Sequence, residues 1–180
     1  MNNPSAKLRI QVSQIYGPMI SSVDSETDGV EILLGTKGSA TLVSRQQKTV
    51  MTSGNLILIG QGIPYHFDSS KSFRYYRLQL EKGHLEELLQ KSGIKAASGT
   101  FFDTPHEKSF MEYMDKRINL KENENNRIKI IFSQLQTECE HPTENSGIMT
   151  ESLLIQLLIH IDRTEQGSMD QKNLPRGRFE

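Results

Sequence analysis

At 180 residues the chain is long enough for one domain with its own core, and its 21 Lys and Arg against 22 Asp and Glu leave it almost neutral. No stretch is strongly basic, so nothing marks a nucleic-acid-binding surface. A single cysteine, Cys139, excludes an internal disulfide or a thiolate zinc knuckle and fits a reduced, cytoplasmic setting. The opening MNNPSAKLRIQV has neither the charged start nor the apolar core of an export signal, and no segment reaches the roughly 18 apolar residues of a membrane span.

From Val30 to Leu80 turn signals recur at roughly the eight-to-twelve-residue spacing of a β-sandwich or barrel. They are GTKG (35–38), SRQQK (44–48), SGN (53–55), GQGIP (60–64) and DSSKS (68–72). Between them lie short runs of strand formers, VEILL, ATLV, TVMT, LILI and FRYYRLQL, with no room for a helix. In the last of these, Tyr76, Leu78 and Leu80 alternate with Arg77 and Gln79, which puts Tyr76 on the buried face.

The period then changes. Leu85, Leu88 and Leu89 fall at helical spacing, and Gly93 follows where a left-handed cap is wanted. Phe110, Met111, Met114 and Ile118 predict a second helix. A third, from about Asn126 to Glu140, carries Ile128, Ile131, Phe132 and Leu135 on one stripe and must stop before Pro142. The fourth is Glu151 to Arg163, with Thr150 as its N-cap. Leu154, Leu157, Leu158 and Ile161 form its main face, and Leu153 and Ile155 widen it beyond what one sheet would cover. The surplus has two readings: contact with a second copy, or packing inside the same domain. After Arg163 the polar TEQGSMDQKNLPRGRFE reads as a linker or tail.

The order of these segments carries a resemblance. A strand, a Gly-centred hairpin and a second strand (VEILLGTKGSATLV), then a Gly-led strand, a loop and His66 (GNLILIGQGIPYHF), then YYRLQL and amphipathic helices, resemble the effector-binding domain of AraC-family transcription regulators, a branch of the cupin barrels. The resemblance implies a mainly β fold, a cupin-like double-stranded β-helix at about 8–81, with helices at about 82–163 and a tail at 164–180. It also implies a sensor that binds a small-molecule effector and forms a homodimer through its last helices, at Leu154, Leu157, Leu158 and Ile161. DNA would be reached only through a helix-turn-helix part that this chain lacks, and no membrane is involved.

By the same resemblance the candidate pocket residues are Glu31, Tyr65, His66, Arg74 and Tyr76. Each has a plain structural reading beside the functional one, His66 as a loop-bonded histidine and Tyr76 as core. Metal-binding cupins supply two histidines and a glutamate from one motif and a third histidine from another. Here Glu31 and His66 match two of those places, the paired histidines are absent, and His66 comes one residue late, so that Tyr65 competes for its place. Three protein ligands are the usual minimum for a catalytic metal, so no metal, cofactor or catalytic residue is expected. His84, His106, His141 and His160 stand singly, and no nucleophile elbow, Cys/His pairing or phosphate loop is visible. The alternatives are a stand-alone cupin metalloenzyme and a non-catalytic small-molecule-binding cupin.

Overall fold

The computed structural model describes residues 8–15, 19–23, 29–44, 47–60, 63–69, 72–94 and 117–173. The described residues include nine strands: β1 (Leu8–Ile15), β2 (Met19–Val23), β3 (Gly29–Lys37), β4 (Ser39–Ser44), β5 (Gln47–Thr52), β6 (Asn55–Ile59), β7 (Tyr65–Ser69), β8 (Phe73–Glu81) and β9 (Arg117–Asn119). Three helices lie among the described residues: α1 (Lys82–Ser92) between β8 and β9, then α2 (Glu122–Glu140) and α3 (Ser146–Asn173).

The strands form two antiparallel sheets, one ordered β1-β8-β3-β6-β9 and the other β2-β7-β4-β5. Between the sheets lies a core of Leu33, Ala40, Leu42, Met51, Ile57, Ile59, Ile63, Tyr65, Phe67, Phe73 and Tyr75. A second core fills the space between the five-stranded sheet and the helices. The fold is thus a cupin-like β-barrel with a helical layer on one side.

That layering explains the sequence pattern. A sheet covered on both faces needs apolar residues at every position. LILI is accordingly buried throughout, with Ile57 and Ile59 in the barrel core and Leu56 and Leu58 against the helices. VEILL behaves likewise, with one polar intruder, Glu31.

Turn glycines fix the corners. Gly38, at φ +75, joins β3 to β4, and Gly54, at φ +84, joins β5 to β6; both lie in the left-handed region that favours glycine. Gly35 is required for space instead, since a Cβ there would lie 2.1 Å from the Thr52 carbonyl oxygen. The register of β3 against β8 shifts between Gly35 and Lys37, bending the strand over that crossing.

Several expectations need correction at the ends of elements. Ile118, assigned by spacing to a helix, is the buried centre of strand β9 and pairs with Leu56. Its apolar neighbours Phe110, Met111 and Met114 lie outside the described residues, as does His106. α3 begins at Ser146, so Thr150 is inside the helix and not its cap. Ser146 closes the preceding turn, its Oγ accepting the Thr143 N–H at 2.6 Å and donating to Glu138 at 2.6 Å. At the other end α3 continues through 164–170 to Asn173, where a tail was expected. Gln, Glu, Met and Lys are all good helix formers, and a lone interior glycine costs only about 1 kcal/mol. α1 ends as its sequence implies, at Gly93 with φ +73.

Leu154, Leu157, Leu158 and Ile161, expected at a seam between two copies, are buried within the protomer. They belong to the core shared with α1, α2 and the five-stranded sheet. A helix gripped from several sides needs a broad apolar surface, and this supplies the internal reading of the surplus.

Candidate functional site

The polar intruder of β3 organises the site. Glu31 lies directly opposite Gln79 of β8, and Leu33 opposite Arg77, so all four share the barrel-facing side of the sheet. Glu31 is 1% exposed, and its carboxylate is held from several directions. Arg77 donates from Nε to Oε2 at 2.9 Å and from Nη2 to Oε1 at 2.6 Å, a fork-on-fork pair. Gln79 Nε2 donates to Oε1 at 2.9 Å. From the facing sheet, Tyr65 of β7 donates its phenolic O–H to Oε2, tying the two sheets together across the interior.

The electrostatics follow from these contacts. Burial by itself would raise the Glu31 carboxyl, but hydrogen bonds from Arg77, Tyr65 and Gln79 and the Arg77 charge outweigh it and hold the group below its ordinary value. Tyr65 moves the other way: burial first, then the Glu31 charge and hydrogen bond, push its hydroxyl far up, so it remains a donor. For Arg77 burial works against the charge, yet the Glu31 partnership prevails and the guanidinium stays protonated. A guanidinium carries five N–H donors, and among the described residues only two are engaged. Below this network the interior is aromatic: Phe67 and Tyr75 have ring centroids 4.6 Å apart, and Phe73 stacks on Tyr75 at 5.5 Å.

Of the candidates from sequence, the fold brings Glu31 and Tyr65 together and sends the others elsewhere. Tyr65 and Phe67 point into the barrel, so His66 between them faces outward, beside Val43. Arg74 is exposed on β8. Tyr76, expected to be buried, is only half-buried and packs toward the helices, its ring 5.2 Å from that of Phe132. Arg77 and Gln79 are hidden in the sequence because the alternation of β8 taken alone implies one core. There are two, and Tyr76, Leu78 and Leu80 mark the helix side. The available signal was the pairing of a lone Glu in one apolar run with a lone Arg in another.

A cupin-type metal does not fit these residues. The carboxylate that would bind it is saturated by donors and faces a guanidinium, and His66 is on the opposite side of its strand. Among the described residues no three His, Cys, Asp or Glu side chains gather as a metal site.

Similarity to solved structures is low. The putative ethanolamine utilization protein EutQ of Salmonella typhimurium aligns at 13% identity with TM-score 0.35, over 42% of this chain and 58% of that one. Clostridium difficile EutQ gives 18% and 0.36 over the same shares. A Cupin 2 conserved barrel domain protein of Salinispora arenicola gives 16% and 0.40, over 51% of this chain and 79% of that one. The chain therefore spans under two thirds of the two EutQ proteins, and no curated protein matches it. At the level of sequence family, residues 22–158 match the AraC-like ligand binding domain, and the chain belongs to that family.

Proposed function

We propose that the protein senses a small-molecule effector inside its barrel and serves as the sensor and dimerisation module of a transcription regulator, without catalytic activity of its own. The observation that carries this reading is the Arg77 guanidinium on the barrel-facing side, fixed by Glu31 yet with N–H donors to spare. A positioned donor beside aromatic walls suits an effector with an acidic or hydroxyl-rich end and an apolar body. In this reading DNA is contacted by a separate helix-turn-helix part. Two copies pair over the outward side of the C-terminal helices, where Ile130, Ile148 and Met149 are exposed.

The test is a thermal-shift screen of sugars, aromatic acids and fatty acids, followed by calorimetric titration of any hit. Effector binding should fall at least tenfold in Arg77→Gln and remain unchanged in His66→Ala, which alters the outer face. A hit that binds both variants as well as wild type would place recognition elsewhere and sink this assignment.

A further inference from the structure

The helical layer contains a second polar site, independent of the barrel. α2 and α3 are joined by the short turn at 141–145 and pack along one another. On α2, Asn123, Glu124, Arg127 and Ile128 lie on one face at helical spacing; on α3, His160, Arg163 and Thr164 do the same at i, i+3 and i+4. The hairpin sets these two faces around a cleft of about 180 Å³. Ligand pockets for drug-sized molecules run to roughly 300–1,000 Å³, so this one is the size of an ion or a small headgroup.

The lining is net cationic, with two guanidiniums against one carboxylate. Neither Arg127 nor Arg163 makes an ion pair among the described residues. Glu124, the one carboxylate of the lining, accepts the Lys121 N–H at 2.9 Å and is thereby tethered to the start of α2. Thr164 is buried and donates its hydroxyl to the His160 carbonyl at 2.9 Å, holding that turn of α3 in place. Burial first, and then the charges of Arg127 and Arg163, hold the His160 imidazole below its ordinary value. Arg127 and Arg163 set two positive charges on one small cleft against the single carboxylate of Glu124, so the cleft keeps a net positive charge that a small anion would offset.

We propose that this cleft is a binding site for a small tetrahedral oxyanion of the phosphate or sulfate class, held by Arg127 and Arg163 with His160 as the third donor. Arginine suits that ligand because its planar fork offers paired N–H donors. Binding favours the protonated imidazole, so the site takes up a proton on loading and tightens as pH falls. The charged groups that face His160 across the cleft are Glu124 and Arg127 of α2, with Arg163 on its own helix.

Sulfate is the probe of choice, because its charge is constant where histidine titrates. The full chain is titrated with millimolar sodium sulfate against sodium chloride at equal ionic strength, following the imidazole resonances by NMR between pH 5 and pH 8. The pKa of His160 should rise, by about one unit for tenfold tighter binding to the protonated form, while His66, His84, His106 and His141 do not move with it. Arg127→Gln with Arg163→Gln, both on exposed side chains, should abolish the shift and leave the fold intact. The proposal is overturned if sulfate leaves His160 at its chloride value, if all five histidines move together, or if the double variant responds as wild type does.

Discussion

Glu31 and Arg77 are each other's counter-ion in a space that water barely reaches, with side chains 1% and 13% exposed. Taking away one member of such a pair leaves a bare charge, which costs about 3–5 kcal/mol, whereas replacing both with apolar groups is often close to neutral. Arg77→Met should therefore lower unfolding stability by about that amount, and Glu31→Leu combined with Arg77→Met should recover most of it. Urea melts of the three proteins measure the cycle. The same pair sets an acid limit. Because the folded carboxyl ionises below its ordinary 4.5, the unfolded chain binds more protons in the interval between the two values. The contribution is complete above about pH 4.5 and is lost as pH falls through the folded pKa. Glu31→Gln should be less stable than wild type at neutral pH, with a shallower loss between pH 5 and pH 3 in parallel denaturant series.

At the scale of elements, α3 has its apolar stripe turned inward, and this changes what a charge there would do. Leu158 is fully buried within the protomer. Leu158→Glu should cost several kcal/mol as an unpaired buried charge and yield unfolded or aggregated protein. Circular dichroism and sedimentation distinguish this from the folded monomer that an intermolecular leucine seam would leave. The sequence carried α1, α2, the turn glycines and most strands, because each is written in local periodicity or local backbone demand. Ile118 was misassigned because a three-residue strand has no period of its own and its partner Leu56 is far away in the chain. The direction in which Leu154 faces was equally hidden, since amphipathicity fixes the width of a stripe and not what covers it. Half of the candidate site was legible on the same grounds. Glu31 stood out as a charge in an apolar run, whereas Arg77 and Gln79 looked like an ordinary solvent face until a second core was placed behind β8.

For the molecule as a whole, the near-neutral charge and the packing of the described helices into a layer are the basis of a prediction about DNA. Footprinting on the promoter regions adjoining its gene should show no protected site with the 180-residue protein alone. If copies pair over the outward helix surface, Ile148→Glu should stay folded and shift the sedimentation profile from dimer to monomer, because Ile148 is 74% exposed in the single chain. A wild-type monomer at high micromolar concentration would refute that pairing. The central position of β8 has a kinetic consequence as well. It joins β1 to β3, with Leu8 against Leu80, Ile15 against Phe73 and Val30 against Leu80. Among the described residues β1 is thus paired only by β8, across about sixty to seventy residues, and contacts of such separation slow folding toward milliseconds or seconds. During synthesis at about 5–20 residues per second, β1 waits several seconds as an open edge for β8 to emerge. The nascent chain is most exposed to mispairing in that interval, before any effector could find a barrel to enter.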